Sequence, residues 1–319
     1  MSHPGAYVPI AITDRSGCDE SVHFGAVVCL GRDGSIVASA GDPEVTIYPR
    51  SSNKPMQAVA MVRAGLDLPA DLLALVCASH DGTLAHLDAA RRILAVASLD
   101  EGALGNTPDL PLDQAAARTV LRGGGARTAL QMNCSGKHSG MLATCVHNRW
   151  PHDLTYLDPG HPLQQQITTT IAELAEQQPV HIGVDGCGAP AHVFSLVGLA
   201  RGFRSIATGA AGAAGSAVYD AMCGHPEMVG GEHRDVTTLM RSVRGLMAKD
   251  GADGVFAAAL PDGRAVALKI ADGSNRARPP VMVGALNRLG VDISEVEPLV
   301  VEHIMGHGRA VGQVRSLFT

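Results

Sequence analysis

Apolar residues gather in two short runs near the start of the chain, residues 23–30 and 36–40, joined through Arg32-Asp33-Gly34. An Asp-Gly step between strand-like runs signals a hairpin, because its glycine supplies the positive φ of a tight turn. The pattern returns near the other end, where residues 254–260 and 264–270 flank Pro261-Asp262-Gly263. Between them the apolar spacing shifts to i, i+3, i+4. It predicts helices over 55–64, 84–97, 139–146, 162–176 and 216–222, with another over 280–289. A lone hairpin is marginal in water, so the two hairpins are expected to pair in one antiparallel sheet covered by helices. This is an α+β reading; the regular strand-helix alternation of a parallel sheet is missing. The chain reads as one domain over 1–319, with sheet-forming segments at 1–60 and 245–319 and a mostly helical middle at 61–244. The Gly, Ala and Thr stretch 208–215 reads as a loop within it.

Composition narrows the classes. The chain has 319 residues, 46% apolar and 18% charged, which is a globular balance. Ten aromatic residues leave alanine, valine and leucine to fill the core. The formal charge of −6, with no basic run, argues against a nucleic-acid partner. Seven cysteines in so long a chain do not suggest a disulfide framework. The start lacks the basic and apolar regions of a signal peptide, and no apolar run approaches a membrane span. A cytoplasmic location is therefore expected. One bias is sharper: 21 of the 25 basic residues are arginine, leaving Lys54, Lys137, Lys249 and Lys269. Lysine can be pushed toward neutrality and then act as base or ligand, whereas arginine cannot.

The lysines sit in motifs. Arg50-Ser51-Ser52-Asn53-Lys54-Pro55 follows a strand-like stretch at 45–48 and precedes a helix. A helix starting near Ser51 would put residues 51 and 54 on one face, amine toward hydroxyl, at a positive dipole end. That is the arrangement of Ser-Lys acyl transfer. Serine as a plain N-cap is the simpler reading, and Pro55 biases Lys54 away from the helical region. Asn133-Cys134-Ser135-Gly136-Lys137-His138 is not a phosphate loop, since histidine follows Gly-Lys. Asp185-Gly186-Cys187-Gly188 reads as a sharp turn exposing Asp185 and Cys187. Cysteines, a lysine and an aspartate gathered at one place would suit zinc, although buried reduced cysteines are commoner at such irregular spacing. In Cys77-Ala78-Ser79-His80-Asp81 the adjacent serine and histidine diverge, so His80 reads as structural. Lys249-Asp250-Gly251-Ala252-Asp253-Gly254 precedes the C-terminal hairpin. A shared sheet would return Lys249 toward the start of the Ser51 helix.

In order along the chain, these blocks resemble one family. They run from Glu20-Ser21-Val22-His23 through Arg50-Ser51, Lys54-Pro55, Ala78-Ser79-His80, the 133–138 block and Asp185-Gly186-Cys187. They continue through His225-Pro226-Glu227-Met228-Val229 with Gly231-Glu232, the 249–253 block, and Lys269-Ile270 with Asp272-Gly273. The family is the bacterial L-asparaginases of the thermolabile rhizobial type. The resemblance implies a fold like serine β-lactamases and penicillin-binding proteins. It also implies two Ser-Lys tandems, Ser51 with Lys54 and Ser79 with Lys249, and a metal site, usually Zn2+, on Cys134, Lys137 and Cys187 with Asp185 close by. A homodimer is implied as well. One departure is that Val236 stands where family members carry a further cysteine.

The leading expectation is thus an amidohydrolase converting L-asparagine to L-aspartate and ammonia. Ser51 is the favoured nucleophile, Lys54 its neutral base, and Ser79 with Lys249 the proton relay; Ser79 as nucleophile is the alternative. Arg50 is a candidate for the substrate carboxylate, Glu20 and Asp185 for its ammonium. Two other readings stay open: a Ser-Lys hydrolase acting on glutamine or a β-lactam, and a metal- or amino-acid-binding protein without catalysis.

Overall fold

A computed structural model describes residues 4–319. Its main sheet has eight strands. These are β1 (Val8–Arg15), β2 (Cys18–Leu30), β3 (Ile36–Ala40), β7 (Met247–Gly251), β8 (Val255–Ala259), β9 (Ala265–Ile270), β10 (His303–Gly306) and β11 (Arg309–Ser316). The order is β10-β11-β1-β2-β9-β8-β7, with β3 also on β2, and every pairing is antiparallel. A second sheet, β4-β6-β5, is built from Thr46–Ile47 (β4), His181–Val184 (β5) and Pro190–Ser195 (β6).

The two hairpins meet as expected. Strand β2 pairs with β9 from Gly25↔Ile270 to Leu30↔Ala265. Their turns share one chemistry. Asp33 Oδ1 accepts from the Ser35 N–H at 3.0 Å, and Asp262 Oδ1 from the Arg264 N–H at 3.2 Å. The glycine after each aspartate takes a φ of +85° (Gly34) or +97° (Gly263). Arg32 and Asp262 then tie one turn to the other at 3.2 Å.

The helices are α1 (Lys54–Arg63), α2 (Ala70–Val76), α3 (Leu84–Val96), α4 (Gln114–Arg122), α5 (Ser135–Asn148), α6 (Pro162–Leu174), α7 (Leu196–Ala207), α8 (Gly212–Gly224), α9 (Pro226–Val229), α10 (Asp235–Ser242) and α11 (Arg278–Arg288). Helix α7 lies against β2, β8 and β9, and α11 against β9, β11 and β1. Every residue of β8 is buried, so helices cover that part of the sheet on both faces. Helices α1, α2, α5, α6 and α8 pack on one another as the helical body. Alanines fill much of the core, with Tyr156, Phe194, Phe203, Phe256 and Phe318 as its few large rings. No helix among the described residues is long and apolar enough to cross a membrane.

The catalytic-looking segments meet where sheet and helical body join. Strand β7 ends the sheet and packs against a 3-10 turn, Arg50–Asn53, that runs into α1. The approach is close. A Cβ on Gly251 would stand 2.6 Å from the Pro49 carbonyl oxygen and 2.7 Å from Ser52 Oγ.

Candidate active site

At this junction lies a cavity of about 450 Å³ whose wall includes Arg50, Ser51, Ser79, Cys134, Asp185 and Cys187. Three of the four lysines, Lys54, Lys137 and Lys249, are buried behind that wall.

Lys54 does not pair with Ser51. Its Nζ lies 3.2 Å from Ser79 Oγ and 3.2 Å from Cys134 Sγ, and donates to the Ala78 carbonyl at 2.5 Å. The α-helix begins at Lys54 rather than near Ser51, and residues 50–53 form the 3-10 turn, closed by the Lys54 N–H on the Ser51 carbonyl. The amine of a buried lysine must find acceptors. The segment leaving α2 offers two, and the α5 N-cap residue adds a sulfur. Ser51 is left facing the cavity.

The second expected tandem is also rearranged. Lys249 Nζ donates to the Asp250 carbonyl at 2.7 Å and to Asp250 Oδ1 at 2.6 Å, not to Ser79. Its backbone does return to the Ser51 turn, where Ser52 Oγ donates to the Lys249 carbonyl at 3.1 Å. Burial pushes Lys249 down to about 8, against the upward pull of Asp250 and with a further push from Lys54. Burial raises Asp250 in turn, but Lys249, Arg234 and Arg278 together outweigh it and hold the carboxyl well below its usual range. Arg234 Nη2 lies 2.6 Å from Asp250 Oδ2, and Arg234 Nη1 3.2 Å from Asp81 Oδ1.

Two of the three expected substrate anchors line the cavity. Arg50 Nε donates to Asp185 Oδ1 at 2.8 Å, and its Nη1 reaches Asp253, so the pair bridges the Ser51 turn to the turn after β5. Arg50 holds a φ of +52°, left-handed for a residue with a Cβ. Glu20 is different. It sits exposed near the start of β2, ion-paired with Arg15 at 2.7 Å, and does not line the cavity. Burial on β2 sets in only from His23 onward, so Glu20 lies on the part of the strand that runs past the packed sheet.

Cys134, Lys137 and Cys187 do converge. Lys137 Nζ is 3.1 Å from Cys187 Sγ, and Cys134 Sγ donates to Asn133 Oδ1 at 3.1 Å. The Cys134 thiol beside it, reinforced by Lys137 and His138, holds Cys187 well below the usual thiol range despite burial. Cys187 and burial push Cys134 well above it. Burial lowers Lys137, but Cys187, Cys134 and Asp185 outweigh it and keep the ammonium. His138 adjoins Cys187. Its Nδ1 meets the Tyr156 hydroxyl at 2.7 Å, and its buried Nε2 has no hydrogen-bond partner among the described residues. Among the described residues no three His, Cys, Asp or Glu side chains make a ligand set, so a metal held here would need Lys137 as its third donor, after loss of the proton it keeps. Two thiols and a deprotonated amine beside an imidazole whose Nε2 lacks a partner would suit a soft ion such as zinc.

His80 is structural in its bonding, with Nε2 2.8 Å from Ser135 Oγ and Nδ1 accepting from the Gly82 N–H. Sequence reasoning missed Asp250, Arg234 and Arg278, which also line the cavity. Asp250 had a signal, its place beside Lys249; two arginines among 21 had none.

A family model described as L-asparaginase II matches residues 11–316. No curated protein matches the chain. Among solved structures, Mglu in its native form is 15% identical over 86% of this chain, with a TM-score of 0.44; this chain spans 66% of the length of Mglu. A β-lactamase from Mycobacterium bovis is 15% identical over 83% of this chain and 94% of its own, with a TM-score of 0.38. EstCE1, described as a hydrolase with promiscuous acyltransferase activity, is 12% identical over 82% and 93%, with a TM-score of 0.44.

Proposed function

Since the chain belongs to the L-asparaginase II family, we propose that it is an amidohydrolase that hydrolyses the side-chain amide of L-asparagine by Ser-Lys chemistry in this cavity. The observation that carries the reading is the 3.2 Å approach of Lys54 Nζ to Ser79 Oγ. It favours Ser79 as nucleophile over Ser51. Ser79 Oγ attacks the amide carbon while its proton passes to Lys54, which must be neutral at that moment. The collapsing intermediate breaks the C–N bond, and Lys54 returns the proton to the departing ammonia. Water then attacks the ester, losing its proton to Lys54, and releases aspartate with Ser79 reprotonated. The Ser79 N–H already donates to the Val229 carbonyl at 3.0 Å, so the oxyanion must find its donors elsewhere. Ser51, on the cavity wall, is placed to carry protons or orient the water.

The zwitterionic end of the substrate would insert into the Arg50–Asp185 pair, carboxylate on Arg50 and ammonium on Asp185. Cys134, Lys137 and Cys187 would hold zinc, which when bound supplies positive charge next to the reacting groups. A homodimer in the cytoplasm completes the proposal.

The test is ammonia release from L-asparagine and L-glutamine. Ser79→Ala and Lys54→Met are each expected to lower kcat on asparagine by at least about 10³-fold, and Ser51→Ala by less. A Ser79→Ala chain that keeps its turnover would return the nucleophile to Ser51. Faster release from glutamine than from asparagine would overturn the substrate.

A further inference from the structure

A second cavity, of about 410 Å³, adjoins the first and shares with it a wall of Arg234, Asn275 and Arg278. Arg276 and Glu302 line it too. Neither has an ion-pair partner among the described residues. The guanidinium of Arg276 is hydrogen-bonded to neutral groups, Nε to His23 Nε2 at 3.2 Å and Nη2 to Ser21 Oγ at 3.2 Å. Glu302 is half-buried and makes no side-chain hydrogen bond among the described residues. Burial and the nearby Asp235 push its carboxyl upward, while Arg276 and His303 draw it down. Arg276 and Glu302 thus line one cavity with no ion pair between them.

The two arginines of the shared wall are already ion-paired, with only Arg278 Nε left without a partner among the described residues. Arg234 is held by Asp81 and Asp250, and Arg278 by the Gly251 carbonyl at 2.8 Å and by Asp250 at 3.5 Å. Asp235 reaches Arg278 at 3.6 Å and accepts from the Val236 N–H at 2.9 Å. The charges without an ion-pair partner are one cation, the exposed Arg276, and one anion, the half-buried Glu302. A simple anion would satisfy Arg276 but meet repulsion from Glu302; a simple cation would do the reverse. A zwitterion satisfies both.

We propose that this cavity is a second binding site for a free α-amino acid, with its carboxylate on Arg276 and its ammonium on Glu302. The volume is ample for such a ligand. Leu299, Val300 and Val301 line the cavity and offer apolar surface to the side-chain stem. An occupant is linked to the catalytic centre, because Arg234 belongs to the shared wall and bonds Asp250, which holds Lys249. Product retained here therefore slows turnover without competing for Ser79. The choice of aspartate as ligand rests on the asparaginase reading; the site itself does not.

Calorimetric titration of the full chain with L-aspartate tests the proposal. Two sites per chain are expected. Arg276→Gln and Glu302→Gln should each weaken one of them at least about tenfold, while ammonia release without added aspartate stays within about twofold of wild type. Succinate, which lacks the ammonium, should fail to fill that site. Isotherms unchanged in both variants, or succinate binding as tightly as aspartate, overturn the proposal. Loss of a site in both variants from a chain that releases no ammonia from asparagine would overturn the asparaginase reading and leave this site standing.

Discussion

Asp250 is one carboxylate shared by three cations, Lys249, Arg234 and Arg278. Removing it should cost more than any single ion pair, because two guanidiniums and an amine would lose their common partner in a buried place. Asp250→Asn is expected to lower unfolding free energy by about 3–5 kcal/mol at pH 7. The sign with pH follows from the depressed native value. The contribution is complete above the unfolded pKa of roughly 4 and is lost as pH falls below it. The gap between wild type and variant should therefore narrow below pH 4 by up to about 1.4 kcal/mol per unit. Urea melts at pH 7, 5 and 3 measure it, and a gap that widens on acidification would contradict the assignment. Residue scarcity decided what was legible here. With four lysines in the chain, Lys54, Lys137 and Lys249 could be singled out, and all three lie behind one cavity. The Ser-Lys pairings could not be read, because i, i+3 spacing says nothing about which acceptor a buried amine finds across the fold.

Strand β7 and the 3-10 turn are the elements whose contact brings Ser51 and Lys249 to one place, and Gly251 is the contact point. A methyl there must push back a backbone oxygen as well as Ser52. Gly251→Ala should cost about 1–3 kcal/mol of stability and at least about tenfold in kcat, since an ångström of misplacement outweighs many contacts in catalysis. Ammonia assays beside a thermal melt separate the two effects; full activity would mean the turn moves freely. The hairpin elements were legible because Asp-Gly turns carry their own chemistry. Strand β1 was not, as Pro9 breaks its pattern and falls at a register shift against β2 between Pro9 and Ala11. Strand β7 was hidden differently: Lys249 and Asp250 are buried in it, where a pattern reading expects apolar side chains. Helix α7 follows β6 without a spacer, and Gly198 and Gly202 dilute its period. Those glycines have packing reasons, since a Cβ on Gly202 would stand 2.6 Å from the Met56 methyl.

At the scale of the molecule, the candidate metal ligands join parts of the chain far apart in sequence. Cys134 caps α5 and Lys137 lies in its first turn, while Cys187 sits in the turn between β5 and β6. An ion held by all three binds the folded chain and not the unfolded one, so it should stabilise the whole by about 2.7 kcal/mol at a hundredfold excess over Kd. At this chain length that corresponds to a rise in Tm of several degrees. Zinc must displace the protons that Cys134 and Lys137 keep in its absence, whereas Cys187 is already inclined to the thiolate. The stabilisation should therefore shrink as pH is lowered from 8 to 6, and steeply, because more than one proton competes. Cys187→Ala should abolish it at every pH. Thermal melts with and without added zinc at the two pH values read both effects. The same zinc-induced shift in Cys187→Ala as in wild type would place the ion elsewhere in the protein.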